Sequence, residues 1–127
     1  MTALPETRVT DVTAEWMQVW ARILDDPNQI HLDGALVRSL GLGPDVINQG
    51  PLNIAYVLNA VTAALPGARL LGYSARMLGN VFAGDRLTVR GTLDAATGPD
   101  IDVTATLAAE GRGDVVGLHL RLTRAAA

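Results

Sequence analysis

Residues 51–65, PLNIAYVLNAVTAAL, form a predicted helix that is apolar on most of its sides. Gly50-Pro51 places a proline where the first turn of a helix tolerates it, and Pro66-Gly67 supplies a stop. Because a helix this apolar is normally enclosed, we expect a sheet to wrap around it. The polar interruptions recur every three residues and are Asn53, Tyr56, Asn59 and Thr62.

Beyond residue 69 the hydrophobic period changes from that of a helix to two, which is typical of strands with one buried face. Four such segments follow one another, separated by Gly, Asp or Pro clusters: RLLGYSARML, DRLTVRGTL, DIDVTATLAAE and DVVGLHLRLTR. The pattern predicts an antiparallel meander whose apolar face packs on the helix. The chain is therefore predicted to be an α+β protein.

The first third of the chain predicts smaller elements. Residues 8–13 alternate like a short strand, and a helix begins at Thr13 or Ala14. Four of its apolar residues recur at helical spacing and predict a buried face: Trp16, Val19, Trp20 and Ile23. Packing in the core would account for the two tryptophans. Pro27 turns the chain into an ordered loop, and a short helix over 33–40 is ended by Gly41 and Gly43.

Composition narrows the classes of function. A length of 127 residues predicts one domain, residues 1–127, and no cysteine is present for disulfides or thiolate ligands. Residues 1–7 lack the pattern of a secretory signal and no apolar run is long enough to span a bilayer, so we expect a cytoplasmic protein that does not bind membranes. A net charge of −3 argues against nucleic acid as a partner.

A polar cluster in the loop, Asp26, Asn28, His31 and Asp33, is the strongest candidate site. As a calcium loop it fails, because His31 occupies the position of the required glycine and Val37 that of the closing glutamate. A zinc site would need more histidines or a cysteine. We therefore predict no metal and no cofactor.

The segment Asp26-Pro27-Asn28-Gln29-Ile30-His31 resembles the Asp-x-Asn-Pro-φ-His signature (φ, aliphatic) of MaoC-like (R)-specific enoyl-CoA hydratases. Gly50 comes nineteen residues after His31, where that family has a His-Gly-Met-like turn. Residues 81–87, VFAGDRL, resemble the family's Gly-Asp turn between strands. The resemblance covers roughly residues 8–124.

Three departures accompany the resemblance. Gln29 replaces the proline of the signature, Asp25 replaces the glycine that often precedes the aspartate, and Gln49-Gly50-Pro51 replaces His-Gly-Met. The first two leave the reacting groups in place. Since Pro51 has no N–H, any backbone hydrogen bond to an oxyanion would come from Gly50 itself.

The resemblance implies a single hot dog fold, an antiparallel sheet of about five strands wrapped around a long central helix. It implies a hydratase or dehydratase acting on a trans-2-enoyl or 3-hydroxyacyl thioester. Asp26 and His31 would move the protons, and Asn28 would hold their geometry. The Gly50 N–H, at a helix N-terminus, would stabilise the enolate oxygen without a cofactor.

The substrate would be carried on CoA or an acyl carrier protein, with its acyl chain beside Asn53, Tyr56 and Asn59. The candidate phosphate ligands are Arg76, Arg86 and Arg90. Because a hot dog unit usually pairs with another, we expect a homodimer or a heteromer with a second hot dog subunit. Two alternatives stay open: a hot dog thioesterase, disfavoured because residues 51–65 contain no Asp or Glu, and a non-catalytic partner subunit.

Overall fold

Six strands form one antiparallel sheet in the computed structural model, which describes residues 1–94 and 98–124. The strands are β1 (Thr2–Ala3), β2 (Thr7–Val9), β3 (Ala68–Met77), β4 (Leu87–Asp94), β5 (Asp100–Ala109) and β6 (Gly113–Arg124). The order across the sheet is β1-β4-β5-β6-β3, with β2 also paired to β4. β3 pairs only with β6 and therefore forms an edge.

The predicted α+β class is confirmed. The predicted meander is correct only for β4, β5 and β6, because β3 pairs with β6 at the far edge of the sheet and not with β4. Each of the four alternating segments forms one of the strands β3 to β6. The sheet has six strands and not about five, because the N-terminal segment contributes two short strands that both pair with β4. Residues 8–13 were expected to form one strand, but pairing ends at Val9.

Helix α3 (Gly50–Ala64) lies against the apolar face of the sheet and contacts β3, β4, β5 and β6. Val57 and Val61 are buried in the same cluster as the inward-facing residues of the strands. These include Leu87, Val103, Val116, Leu118, Leu120 and Leu122. Since each fully buried aliphatic side chain contributes about 1.5–3 kcal/mol, this contact is a major source of stability.

Helix α1 (Ala14–Ile23) begins at Thr13, whose hydroxyl accepts a hydrogen bond from the Trp16 N–H. The prediction for its buried face is wrong. Met17 and Ala21 are the buried residues, whereas Trp16 is 53% and Ile23 is 63% exposed. α1 packs through a narrow stripe, which leaves the tryptophans on a flank of the helix.

Helix α2 (Gly34–Ser39) ends before Gly41 and Gly43, both at positive φ, as predicted. A small second core beside it contains Val37, Ile47 and Phe82. A side chain at position 43 would overlap the Phe82 ring, so glycine is required there. Ile47 and Phe82 also form an isolated β-bridge, which fixes the segment leading into α3. No helix among the described residues has the length and apolar character needed to cross a membrane.

Candidate active site

Asp26 is held at the C-terminal end of α1. The Asp26 N–H donates to the Ala21 carbonyl at 2.9 Å, and the Asp25 N–H donates to the Arg22 carbonyl at 3.3 Å. With Asp25 at φ 50°, this pair of bonds is a Schellman motif. Pro27 follows and disfavours helical geometry at Asp26, so the helix cannot continue. The carboxylate of Asp26 is thereby placed one turn beyond α1.

The two oxygens of the Asp26 carboxylate have different partners. Oδ1 accepts the Asn28 N–H at 3.2 Å, and Oδ2 lies 3.1 Å from the His31 Nε2. The Asn28 side chain accepts the Ile30 N–H at 3.2 Å and caps the 3₁₀ turn Gln29–His31. Asn28 therefore shapes the loop through its backbone and side chain.

Gln29, the residue that replaces a proline, occupies the first position of this 3₁₀ turn. Proline is favoured at the first position of a helix because the N–H there has no intrahelical acceptor. The turn forms with glutamine all the same. This departure from the signature therefore leaves the positions of Asp26 and His31 intact.

His31 is 7% exposed, and both ring nitrogens have partners. Nδ1 lies 2.7 Å from the Ile47 carbonyl oxygen. Because a carbonyl can only accept, Nδ1 must carry hydrogen and Nε2 is the nitrogen that faces Asp26. Nε2 and Oδ2 are 3.1 Å apart, which is close enough for a proton to pass between the ring and the carboxylate. This pair can accept a proton from one molecule and return one to another.

An open groove of about 500 Å³ adjoins this pair. Asp26 reaches it with its side chain 35% exposed, whereas the His31 side chain is 8% exposed and lies behind it. The other lining residues come from α1 and the following loop: Gln18, Ala21, Arg22, Asp25, Pro27 and Leu32. Arg22 places a guanidinium in the groove beside two carboxylates.

Gly50 begins α3 only three residues after Ile47. Three residues span at most about 11 Å, so the start of α3 lies close to the carbonyl that holds His31. No described residue accepts a hydrogen bond from the Gly50 N–H. Gly50 does not line the groove beside Asp26; a Cβ at Gly50 would instead lie 3.4 Å from Cε of Met77 at the end of β3.

Two buried polar side chains precede Gly50. Gln49 is completely buried; its Nε2 donates to the Met17 carbonyl at 2.9 Å, while its Oε1 has no partner. Asn48 is 4% exposed and donates through Nδ2 to Asn53 Oδ1 at 2.8 Å. Gln49 thus ties α3 to α1, at the position where the resemblance leads one to expect histidine.

Two of the predicted substrate residues, Asn53 and Tyr56, lie within hydrogen-bond distance of the same atom, Asn48 Nδ2. Asn53 is buried and already bonded to Asn48, whereas Tyr56 is half-buried and Asn59 is exposed. Burial raises the pKa of the Tyr56 hydroxyl above its ordinary value, partly offset by the hydrogen bond from Asn48 and reinforced by the charge of Asp11.

The predicted phosphate-binding arginines do not line the groove beside Asp26. Arg76 is exposed on the edge strand β3. Arg86 and Arg90 line a different cavity on the outer face of the sheet, where Arg90 pairs with Glu6 at 2.9 Å. His119 is exposed.

Sequence reasoning missed the Ile47 carbonyl, because a backbone acceptor leaves no signal in residue type. It also missed Gln49, although its place before Gly50 was visible. Within residues 1–94 and 98–124, no group of three or more His, Asp or Glu side chains could hold a metal ion.

The architecture is that of the hot dog fold, seen in solved structures of MaoC-like dehydratases and (R)-hydratases. The (R)-hydratase of A. caviae involved in PHA biosynthesis has 22% identity and a TM-score of 0.83, covering 97% of this chain and 96% of its own. The MaoC-like dehydratase of Rhodospirillum rubrum has 19% identity and a TM-score of 0.74, over 99% and 92%.

The chain is also similar to a chain of the ChsH1–ChsH2 complex of Mycobacterium tuberculosis, with 21% identity and a TM-score of 0.83 over 96% and 94%. No protein-family model matches the sequence, and no curated protein matches it. The comparisons therefore confirm the predicted fold.

Proposed function

We propose that this protein is a hydratase or dehydratase that adds water to a trans-2-enoyl thioester, or removes it from a 3-hydroxyacyl thioester, carried on CoA or an acyl carrier protein. The observation that carries the proposal is the 3.1 Å contact between Asp26 Oδ2 and His31 Nε2, with His31 Nδ1 occupied by the Ile47 carbonyl. A carboxylate and an imidazole in contact beside an open groove suit proton transfer at a reacting carbon.

In the hydration direction, water attacks the β-carbon and the carbon–oxygen bond forms. The Asp26–His31 pair takes one proton from that water and returns one proton to the α-carbon. The double bond is replaced by a carbon–hydrogen and a carbon–oxygen bond, and the pair returns to its starting protonation state. Dehydration is the reverse of these steps, so equilibrium decides the direction.

The negative charge that develops on the thioester oxygen needs a hydrogen-bond donor. The Gly50 N–H is the candidate, because it starts a 15-residue helix and no described residue accepts a hydrogen bond from it. The positive end of the helix dipole favours an anion at this position. One such donor typically contributes about 2.7–4 kcal/mol to lowering the barrier.

We also propose that a second hot dog subunit, identical or related, covers the β3 edge. The solved complex of ChsH1 with ChsH2 is a precedent for assembly among proteins of this fold. Arg22 is a further candidate for holding a phosphate of the carrier, since its guanidinium lies in the groove with Asp26. The cytoplasmic location predicted from the sequence remains a prediction.

The test is turnover of trans-2-enoyl-CoA thioesters of several chain lengths, followed by loss of the conjugated absorbance. We expect turnover by the natural sequence and a loss of about 10²- to 10⁴-fold in kcat for Asp26→Asn and for His31→Ala. The chain offers a matched control in its second Asp–His pair, Asp102 and His119, 3.5 Å apart on the outer face of the sheet. Asp102→Asn and His119→Ala should keep the natural rate.

Three results would contradict the proposal. Equal rates for all four variants would remove Asp26 and His31 from the mechanism. Release of free CoA, detected with a thiol reagent, would indicate that the protein is a thioesterase. Turnover only after addition of a second hot dog subunit would indicate the partner-subunit alternative, provided that Asp26→Asn does not affect that turnover.

A further inference from the structure

Gln49 joins the two helices that frame the candidate site. Its side chain is completely buried, and its Nε2 donates to the Met17 carbonyl of α1 at 2.9 Å. Within residues 1–94 and 98–124 this is the only hydrogen bond between α1 and either α3 or the segment that leads into α3. The amide of Gln49 is therefore the one directional contact between these elements.

The α1 end of this hydrogen bond leads to Asp26. Met17 lies one turn before Ala21, and the Ala21 carbonyl accepts the Asp26 N–H at 2.9 Å. A helix is rigid over such a short distance, because each turn is held by its own backbone hydrogen bonds. A displacement of α1 at Met17 would therefore move the Asp26 carboxylate with it.

The other end of the hydrogen bond leads to His31 and Gly50. Gln49 follows Ile47 by two residues, and the Ile47 carbonyl oxygen lies 2.7 Å from His31 Nδ1. The Ile47 N–H donates to the Ile30 carbonyl at 2.8 Å, which ties the loop that contains His31 to the same segment. Gly50, the candidate oxyanion donor, comes directly after Gln49. The segment 47–50 therefore carries the partner of His31, the contact to α1 and the Gly50 N–H.

These contacts close a ring. The Asp26–His31 pair forms one side, the segment 47–50 forms the second, and α1 forms the third. We propose that Gln49 is a positioning residue, whose hydrogen bond to α1 sets the 3.1 Å separation between Asp26 Oδ2 and His31 Nε2. The inference rests on the proposed function, because that contact is the one assigned to proton transfer. A misplacement of about 1 Å can slow an enzymatic reaction about a hundredfold.

The Gln49 amide is unfavourable for stability in one respect, which helps to separate positioning from folding. Its Oε1 is buried and has no hydrogen-bond partner among the described residues. An unpaired buried oxygen is destabilising, whereas an apolar side chain of similar shape removes that oxygen together with the donor. Gln49→Met should therefore unfold near the urea midpoint of the natural sequence, although the hydrogen bond to α1 is lost.

Steady-state kinetics with trans-2-enoyl-CoA thioesters test the effect on the reaction. We expect Gln49→Met to lower kcat roughly tenfold to a hundredfold and to leave KM within about threefold. KM should change little because the groove beside Asp26 is lined by α1 and the loop after it, which move together. Gln49→His keeps a ring N–H as donor and should recover kcat to within about threefold of the natural rate.

Nuclear magnetic resonance of labelled histidine tests the positioning without turnover. The chain has two histidines, and His119 on the outer face of the sheet is the internal control. Asp26→Asn should shift the ring nitrogen signals of His31. Gln49→Met should shift them in the same direction, because both variants weaken the same contact. The His119 signals should stay unchanged in both variants.

Unchanged His31 signals in Gln49→Met, or an unchanged kcat, would overturn the proposal. Gln49→Ser, which is smaller and leaves room for water, is a second variant without the hydrogen bond. If neither Gln49→Met nor Gln49→Ser folded, the hydrogen bond would serve the fold itself, and the proposal would be wrong. Absence of turnover in the natural sequence would defeat the lyase proposal alone, because the histidine signals are measured without substrate.

Discussion

Asp25 has a strained backbone conformation and directly precedes Asp26 of the candidate site. It is the only non-glycine residue with positive φ among those described, at 50°. Left-handed geometry costs most residues about 1–2 kcal/mol, and aspartate somewhat less. The Schellman motif nevertheless requires positive φ at Asp25. The chain leaves the helix axis at this point, and the carboxylate of Asp26 then lies beside His31. Glycine, usual in the family at this position, would meet the same requirement without strain.

We therefore expect Asp25→Gly to raise the free energy of unfolding by about 0.5–1 kcal/mol. Urea denaturation followed by tryptophan fluorescence measures this change. Asp25→Ala is the control, since it removes the same side chain but cannot adopt positive φ cheaply; it should lower stability. If glycine and alanine shifted the midpoint in the same direction, the strain argument would not hold.

At this scale the sequence predicts types of residue better than their partners. Asp26, Asn28 and His31 were identified by their spacing, and the structure brings the first and third within 3.1 Å. The acceptor that orients His31 is a backbone carbonyl 16 positions away, which only the fold could place. The side-chain oxygen of Asn53, a residue predicted to contact substrate, accepts a hydrogen bond from Asn48, because a buried amide needs a partner.

Among the elements, the turn between β3 and β4 is fixed by one ion pair. Arg112, in the turn between β5 and β6, donates to both oxygens of Asp85 at 3.0 and 2.6 Å, and its guanidinium lies 5.1 Å from the centre of the Phe82 ring. Asp85 Oδ2 also accepts the Phe82 N–H at 2.8 Å. Through the β-bridge from Phe82 to Ile47, this pair supports the carbonyl that holds His31.

Burial works against ionisation of Asp85, but the hydrogen bonds from Arg112 and Phe82 and the charge of Arg112 outweigh it, so the pKa of Asp85 is lowered. A lowered folded-state pKa contributes stability that is present above the unfolded value, about 4, and is lost as pH falls below it. Asp85→Asn should therefore cost about 1–2 kcal/mol near neutral pH.

The difference in unfolding free energy between Asp85→Asn and the natural sequence should shrink as the pH falls below about 4. Urea denaturation across that range measures it. Asp114→Asn is the control, because Asp114 is an exposed carboxylate in the β5–β6 hairpin that also contains Arg112. This variant should show little difference at any pH. If the difference in unfolding free energy stayed constant as the pH fell, Asp85 would act by packing alone.

Strands and helices were more predictable than their faces. Period-two alternation located β3 to β6 within a few residues, because β4, β5 and β6 each bury one side in the core around α3. β3 alternates as well, although its residues 71–77 are exposed on both sides. The α1 prediction assumed that its largest apolar residues are buried, yet the buried residues are Met17 and Ala21, and the Met17 carbonyl accepts a hydrogen bond from Gln49. The tryptophans lie on a flank of α1, where they line a cavity with Leu52 and Tyr56 of α3.

For the molecule as a whole, the main unpaired feature is the outer edge of β3, which has no strand beside it among the described residues. Residues 71–80 are all exposed, and β3 has a strand neighbour on one side only. Four large apolar side chains lie along this stretch: Leu71, Tyr73, Met77 and Leu78. A long apolar edge of this kind invites pairing with another strand. Because Met77 lies beside Gly50, a second subunit there would also lie next to the start of α3.

We expect the purified protein to be a dimer joined along β3, in which each copy presents the same strand to the other. Tyr73→Glu would place a charge on the apolar edge of β3 in each copy and should raise the dimer dissociation constant at least about tenfold. Sedimentation equilibrium measures the change. Thr104→Glu adds the same charge to the exposed face of β5, a strand with neighbours on both sides, and should leave the dimer intact. A natural sequence that stays monomeric, or equal dissociation constants for the two variants, would mean that the apolar edge of β3 has another partner.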